Sequence, residues 1–214
     1  MARLKLALLL FVLIAPPAAP ARASVERWSG HIAEASTRFG IPEAWIRRVM
    51  RAESGGHTML GGRPIVSRAG AMGLMQLMPG TWRAMRAALG LGNDPHDPRD
   101  NILAGTFYLR MMYDRFGYPG LFAAYNAGPG TYSAHLAGRR RLPAETVAYV
   151  AAVAGRGAAA PSLPGPGPGV VATPAVARSL FVIRGPARAP AGAEPSDGSS
   201  RSPSSLFYAL RGTP

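Results

Sequence analysis

The sequence predicts a mostly α-helical protein, with one helical domain, a small loop or hairpin region within it, and a disordered tail. Residues at helical spacing form a continuous, largely apolar stripe in one segment, made up of Ile102, Thr106, Leu109, Met112 and Phe116. Glycines that commonly terminate helices follow several such segments. A composition rich in proline and glycine then begins near residue 157, where a packed core is not expected.

The helical segments of residues 24–156 are large enough together to enclose one core. Thr81 is expected to cap the N-terminus of one helix, and Asp100 or Asn101 that of the next. The glycine-rich stretch between the second and third helices lacks helical period, and a small strand or hairpin is predicted at residues 63–67. The predicted helices cover residues 25–39, 42–53, 81–89, about 101–116, 120–125 and 144–154.

The first 23 residues have the pattern of a secretory signal peptide. A basic start, "MARLK", precedes the apolar run from Leu6 to Ala15, and "ARA" at Ala21 to Ala23 is a small-residue cleavage site. The apolar run is too short to span a bilayer, although an uncleaved membrane anchor is the alternative. We therefore expect an exported, periplasmic protein that begins at Ser24 and is not stably inserted in the membrane.

Charge and cysteine content limit the partners. The chain has a formal net charge of +13, and removal of Arg3, Lys5 and Arg22 with the signal leaves +10. Such a charge favours polyanions, but export and the lack of a basic stripe with interleaved aromatics argue against nucleic acid. Without cysteine, neither lipid attachment nor a disulfide framework is available. A cell wall bearing carboxylates is the expected partner.

Residues 157–214 form the predicted disordered tail. Two similar apolar segments interrupt it, "SLFVIRG" from Ser179 and "SLFYALRG" from Ser205. Short apolar islands in a flexible chain are typical of linear motifs that bind partner proteins, so these two segments predict docking to another envelope protein. Chance similarity, or a pair of strands that folds back on the domain, is the alternative.

Glu53 is an unusual residue in the helical domain. It ends the predicted helix 42–53, where the helix dipole disfavours a carboxylate, and it shares an apolar face with Ile46 and Met50. Both effects raise the pKa of a carboxyl group. A glutamic acid that is still protonated near neutral pH is suited to general acid catalysis. The alternative is a side chain that turns to water or bonds the following loop.

Five motifs follow one another along residues 51–150. They are "ESGG" from Glu53, "SRAGAMGLMQLMPGT" from Ser67, "DPRDNILAGTFYL" from Asp97, "AAYNAGPG" from Ala123 and "ETVAYV" from Glu145. In this order and at this spacing they closely resemble the soluble lytic transglycosylase family, whose domain has a goose-lysozyme-like α+β fold. The segment before Ser67 is several residues longer than the family pattern.

The resemblance implies a specific activity. Family members cleave the β-1,4 bond between N-acetylmuramic acid and N-acetylglucosamine in peptidoglycan without water, and they leave a 1,6-anhydro ring. Their single catalytic acid/base matches Glu53, and the tyrosine whose hydroxyl contacts that carboxylate matches Tyr125. No cofactor is implied. The positions that match residues of the sugar cleft are Ser67, Gln76, Met78, Tyr125, Asn126, Glu145 and Tyr149.

Several of these residues also have structural explanations. Met78 could fill the core, as could Met75, while Asn126 could cap a turn and Tyr149 could be partly core. Ser67 depends on the longer segment that precedes it, which could reshape one edge of the cleft. Flat apolar surfaces beside amide and hydroxyl groups are nevertheless what sugar rings require.

A second carboxylate would change the predicted reaction, because ordinary glycosidases use two. Glu145, in the first turn of a predicted helix, could be the ionised partner of a protonated Glu53, which would make the protein a hydrolytic muramidase. A third alternative is a wall-binding assembly factor with little catalytic role.

The four histidines are isolated, so no metal site is predicted. General wall turnover and local wall opening for a secretion or conjugation machine both remain compatible with the sequence.

Overall fold

The computed structural model describes residues 22–155, and this part of the chain is mostly helical with one short antiparallel hairpin. It confirms the predicted fold class. The predicted signal peptide, residues 1–23, lies outside the described residues except for its last two, and the predicted tail, residues 157–214, lies wholly outside them. The helices are α1 (Arg22–Glu26), α2 (Ser29–Phe39), α3 (Glu43–Glu53), α4 (Pro79–Leu89), α5 (Pro98–Phe116), α6 (Gly120–Ala127), α7 (Pro129–Leu136) and α8 (Ala144–Ala154), and the strands are β1 (Met59–Leu60) and β2 (Arg63–Pro64).

Helix α5 is the centre of the fold. It contacts α2, α4 and α6, and every one of its residues from Asn101 to Met112 is buried. A helix that is buried on all sides needs partners on all sides, which explains why the other helices surround it. Aromatic pairs join the layers, with ring centroids 5.4 Å apart for Phe39 and Phe107.

The first predicted helix is divided in two. The sequence predicts one helix over 25–39, whereas the structure has α1 and α2 with a turn at Arg27 and Trp28. The indole nitrogen of Trp28 donates to the carbonyl of Gly56 at 2.9 Å, and Val25 is fully buried. The turn lets both residues contact the loop after α3, and this tertiary contact outweighs helix propensity.

Two of the predicted helix caps are wrong. Helix α4 begins at Pro79, so Thr81 lies inside its first turn rather than at its cap. Helix α5 begins at Pro98, and the Asp97 side chain accepts from the backbone nitrogen of Asp100 at 2.8 Å. Proline fits the first helical position because the missing N–H would have no partner there. Asp97 is therefore the cap, and neither Asp100 nor Asn101 fills that position.

The glycine-rich loop contains the hairpin β1–β2, slightly before the predicted position. Leu60 pairs with Arg63, and Met59 pairs with Pro64. Isolated bridges then join Val66 to Met72 and Met72 to Leu77, so the chain folds back twice before α4. This compact loop carries the residues that border the site.

Helices α6, α7 and α8 complete the described part of the chain. The sequence did not predict α7, which is short and contains no buried residue. Helix α8 spans 144–154 as predicted and packs on α3, where Arg48 donates to the carbonyl of Ala154 at 3.1 Å. Among the described residues no helix is both long enough and apolar enough to cross a membrane.

Candidate active site

Glu53 ends helix α3 on the face that packs into the core. Glu53 is 6% exposed, and it shares that face with Ile46, Val49 and Met50, which are fully buried. Of the carboxylates in residues 22–155, Glu53 is the only one that is buried. The spacing that singled it out in the sequence therefore corresponds to real burial.

Burial raises the pKa of Glu53 from 4.5 to about 7, because the ionised carboxylate loses its hydration. The hydroxyl of Tyr149 partly offsets this rise in pKa by hydrogen bonding to the ionised form. That contact is loose, since within the described residues the hydroxyl has no partner of standard hydrogen-bond geometry. Glu53 therefore keeps its proton to a higher pH than an exposed glutamate does.

The segment after Glu53 is held from two sides. The Ser54 hydroxyl donates to the carbonyl of Leu74 at 2.7 Å and accepts from the backbone nitrogen of Gly56 at 3.1 Å. On the other side, the Ser24 hydroxyl bonds the carbonyl of Gly55, next to the Trp28 contact with Gly56. These bonds tie the end of α3 to the N-terminal segment and to the loop before α4.

The side chain of Asn101, on helix α5, holds the loop before α4 in place through hydrogen bonds. It is fully buried, and its side-chain oxygen accepts from the backbone nitrogen of Met75 at 2.7 Å. Its amide nitrogen donates to the carbonyls of Pro95 at 2.8 Å and Met72 at 3.2 Å. One side chain on α5 thereby fixes both arms of the loop, in line with the rule that buried polar groups are hydrogen-bonded.

Gln76 occupies a strained position in the same loop. Its φ of 48° is left-handed, and Gln76 is the only residue other than glycine with a positive φ among those described. Its amide nitrogen donates to the carbonyl of Gly73 at 2.8 Å, while its buried side-chain oxygen has no partner within residues 22–155. Strain of this kind is maintained only where surrounding contacts enforce it, and it is concentrated at functional sites.

Tyr125 lies against the loop that precedes α4. Its hydroxyl donates to the carbonyl of Met75 at 2.7 Å, and its ring packs on Tyr108 at 5.3 Å. Burial first, and then the charge of Glu53, raise the pKa of Tyr125. The predicted contact between this hydroxyl and the Glu53 carboxyl group stays a prediction. A hydroxyl has one proton to donate, and here the Met75 carbonyl accepts it, while the hydroxyl oxygen can still accept a hydrogen bond.

A cavity of about 230 Å³ lies beside these residues. Its walls come from the loop before α4, the start of α4, the middle of α5, and the junction of α6 with α7. No wall residue carries a charge, and the mixture of tyrosine rings, amides and small residues suits a sugar. The lining residues are Gln76, Leu77, Met78, Thr81, Tyr108, Tyr125, Asn126, Ala127, Gly128 and Pro129.

Four of the predicted cleft residues line this cavity, namely Gln76, Met78, Tyr125 and Asn126. Met78 is 40% exposed, which separates it from the core, whereas Met75 is fully buried. The Asn126 side-chain oxygen accepts from the Thr146 hydroxyl at 2.8 Å, so its amide joins α6 to α8.

The other predicted residues lie elsewhere. Tyr149 is buried and faces Glu53, as described above, and Ser67 and Glu145 are not part of the cavity wall. The Ser67 hydroxyl accepts from the backbone nitrogen of Ala71 at 2.9 Å and so closes a turn. Glu145 is exposed in the first turn of α8.

Sequence reasoning missed Asn101, Thr146 and Tyr108. A polar residue at the start of an otherwise buried helix was a usable signal for Asn101, but it was interpreted as a cap. The contacts of Thr146 with Asn126 and of Tyr108 with Tyr125 join distant segments, and no local pattern indicates them. Within residues 22–155, no group of three or more His, Asp or Glu side chains could hold a metal ion.

Residues 30–147 match the family model described as "Transglycosylase SLT domain". Among curated relatives, the "Soluble lytic murein transglycosylase" of Escherichia coli strain K12 is 37% identical over 123 residues, which are 53% of this chain and 18% of the relative. The "Transglycosylase" of Enterobacteria phage PRD1 is 36% identical over 91 residues, which are 42% of this chain and 31% of the relative. The chain thus spans less than a third of each relative's length.

Solved structures give a consistent result. The crystal structure of the 70 kDa soluble lytic transglycosylase of Escherichia coli matches with a TM-score of 0.51 and 32% identity, over 59% of this chain and 22% of that one. An inactive mutant of the lytic transglycosylase Slt of Pseudomonas aeruginosa matches with a TM-score of 0.50 and 29% identity, over 58% and 22%. Both matches involve a minority of the larger protein.

Proposed function

The chain belongs to the transglycosylase SLT domain family, and from this premise we propose that it is a lytic transglycosylase that cleaves the glycan strands of peptidoglycan. The observation that carries the proposal is Glu53, the only buried carboxylate of residues 22–155, with a pKa of about 7. Glu53 is not itself in the wall of the neutral cavity, but Tyr125, whose pKa the charge of Glu53 helps to raise, is part of that wall.

In the proposed reaction, protonated Glu53 donates its proton to the glycosidic oxygen as the bond from C1 of N-acetylmuramic acid breaks. The resulting carboxylate then removes the proton from the C6 hydroxyl of the same sugar. The oxygen of that hydroxyl forms a bond to C1. A 1,6-anhydro ring forms, no water is consumed, and Glu53 ends protonated. A pKa near the working pH suits a group that acts first as an acid and then as a base.

The surrounding groups support each step. Tyr149 keeps its proton because burial and the nearby Glu53 raise its pKa, so it remains a donor to the carboxylate formed in the first step. The C6 hydroxyl belongs to the substrate itself, and its intramolecular placement supplies the effective concentration that a water molecule would lack. A second carboxylate is then unnecessary.

A mutant comparison supports the same role for glutamate. The Pseudomonas aeruginosa structure is described as an inactive mutant in which glutamate is replaced by glutamine. Another structure of the 70 kDa enzyme is a complex with bulgecin A, and it matches this chain with a TM-score of 0.50. We propose that Glu53 has the corresponding role here.

The proposal extends to location and setting. Residues 1–23 have the signal-peptide pattern described above, and the named relatives act on murein, so we propose a periplasmic enzyme that begins at Ser24. The small domain followed by two apolar tail segments fits an enzyme that opens the wall locally for a secretion or conjugation machine. The tail segments would then bind a protein of that machine.

Two substitutions test the chemistry in the exported protein. Glu53→Gln keeps the size of the side chain but cannot donate a proton, so release of fragments from purified sacculi should fall by at least roughly a thousandfold. Glu145→Gln is the matched control and should retain most of the activity, because Glu145 is exposed and is not part of the cavity wall. Activity of Glu53→Gln near the wild-type rate would refute the role of Glu53. A nearly inactive Glu145→Gln would favour a hydrolytic muramidase.

A further inference from the structure

The segment between α7 and α8 carries three adjacent arginines, Arg139, Arg140 and Arg141. All three are exposed, and none forms an ion pair with the carboxylates of residues 22–155. Their backbone is nevertheless fixed. The nitrogen of Arg139 donates to the carbonyl of Ala134 at 2.9 Å, and the carbonyl of Arg140 accepts from the ring of His135 at 3.1 Å. The result is a positioned loop whose cationic groups face solvent.

This arginine loop joins two helices that are both connected to the cavity wall. Helix α7 starts at the cavity wall with Pro129 and, with eight residues, places the loop about 12 Å away at its other end. The chain then returns, because Thr146 in the first turn of α8 donates to Asn126 of the same wall. The three residues from Arg141 to Ala144 span at most about 10 Å. Both ends of the loop are thus tied to helices that border the cavity.

The charge on the loop contrasts with the cavity itself. No residue of the cavity wall is charged, which suits uncharged N-acetylated sugars. The loop therefore matches something attached to the sugar rather than the sugar itself. In peptidoglycan, muramic acid carries a short peptide that bears carboxylates. A peptide of four or five extended residues reaches about 13–17 Å, which is enough to cover the distance between cavity and loop.

We propose that Arg139, Arg140 and Arg141 bind the carboxylates of the stem peptide on a muramic acid seated in the cavity. This inference rests on the proposed function, because only a peptidoglycan substrate brings such a peptide to the site. Guanidinium groups bind carboxylates through two parallel hydrogen bonds, so arginine gives directional recognition as well as attraction. The loop would make the enzyme prefer glycan strands that still carry peptides.

The test uses the exported protein, from Ser24 to Pro214, and three soluble glycan substrates of matched length. One carries native stem peptides, the second carries the same peptides with their carboxylates converted to neutral amides, and the third has lost its peptides. Wild type is expected to show its lowest KM on the first substrate. If wild type releases no fragments from any of them, the proposed function fails, and this inference fails with it.

The informative variant is Arg140→Gln combined with Arg141→Gln. On native strands its KM should rise roughly fivefold with little change in kcat, since exposed ion pairs each contribute modestly to binding. On amidated and peptide-free strands it should match wild type. The matched control is Arg27→Gln combined with Arg38→Gln, which removes the same charge from a part of the chain that contributes nothing to the cavity wall. The control should match wild type on every substrate.

Three results would overturn the proposal while leaving the proposed function intact. The first is an unchanged KM on native strands. The second is an equal rise in KM on amidated or peptide-free strands, which would show that the loop binds glycan or another anionic polymer. The third is an equal rise in the control variant, which would show a general effect of net charge. Arg140→Lys combined with Arg141→Lys should restore part of the affinity, because it restores the charge without the paired hydrogen bonds.

Discussion

Glu53 shows how burial changes the chemistry of a single residue. Its pKa of about 7 follows mainly from loss of hydration, and the opposing contact with Tyr149 is weaker. The sequence already predicted the direction of this shift from an apolar helix face. It could not identify Tyr149 as the facing group, because α3 and α8 meet only in the folded chain.

The raised pKa has a consequence for stability. The folded state holds the Glu53 proton up to about pH 7, whereas the unfolded chain releases it near pH 4.5. The stability that this proton provides is therefore fully present below pH 4.5 and is lost as the pH rises through 7. Relative to Glu53→Gln, wild type should lose up to roughly 3 kcal/mol of unfolding free energy between pH 4.5 and 8.5.

Urea unfolding of both proteins at a series of pH values measures this difference. Glu53→Gln serves as the reference because it carries the same shape without a titrating proton. A difference in unfolding free energy that does not change with pH would mean that Glu53 is not desolvated in the folded protein.

The family resemblance, rather than a pattern in the chain itself, singled out Gln76, Met78, Tyr125 and Asn126, and the structure brings these four residues to one cavity wall. Their contacts with a sugar stay a prediction. Asn101 was misassigned because a polar residue near a helix start fits a cap equally well. Its side chain bonds the nearby Pro95 and also Met72 and Met75, which precede it by more than twenty residues in a separate loop.

At the scale of elements, proline explains most of the errors in the predicted boundaries. Helices α4, α5 and α7 each have proline in their first turn, at Pro79, Pro98 and Pro129. The sequence predicts that the first two of these helices begin two to three residues after the proline, and it does not predict the third helix. Helix ends were predicted better, because Gly40 and Gly90 adopt the left-handed conformation that stops a helix.

The N-terminal segment and the loop after α3 form one packed unit. Gly56 has a φ of 81°, and a Cβ atom there would lie 2.7 Å from the backbone of both Ser24 and Val25. Gly56→Ala should therefore lower the unfolding free energy by roughly 2 kcal/mol or more, through backbone strain and overpacking. Because Gly56 follows Glu53 closely, kcat on sacculi should fall as well.

Gly30→Ala is the matched control for that substitution. Gly30 lies in α2, and a Cβ atom there would have no neighbouring atom within 4 Å, so alanine should leave stability unchanged or raise it slightly. Thermal unfolding and sacculus digestion of both variants test the prediction. If Gly56→Ala is as stable and as active as Gly30→Ala, the N-terminal segment does not support the catalytic loop.

At the scale of the whole molecule, α8 is the last helix of the described residues, and side chains from earlier in the chain bond its C-terminal end. Arg48 donates to the carbonyls of Val153 and Ala154, and the Tyr118 hydroxyl donates to the latter at 2.7 Å. We expect a chain that ends at Arg156 to keep the thermal stability and sacculus activity of the exported protein. It should lose retention by envelope partners in pull-down experiments, because both apolar tail segments are removed.

Two results for the shortened chain would contradict these expectations. Unfolding, or loss of activity on purified sacculi, would mean that residues 157–214 belong to the catalytic unit. Full retention by partners would mean that the tail segments are not docking motifs. Composition predicted this division of the chain, but it could not predict a binding partner.

In the proposed reaction Glu53 alone carries out the cleavage, with the substrate's own hydroxyl in place of water. Digestion of purified sacculi in ¹⁸O-labelled water, followed by mass spectrometry of the released muropeptides, distinguishes this reaction from hydrolysis. We expect anhydro products, one water lighter than hydrolysis products and free of the label, with none released by Glu53→Gln. Products with reducing ends that carry the label would refute the proposed reaction, because they would show that water attacks the sugar.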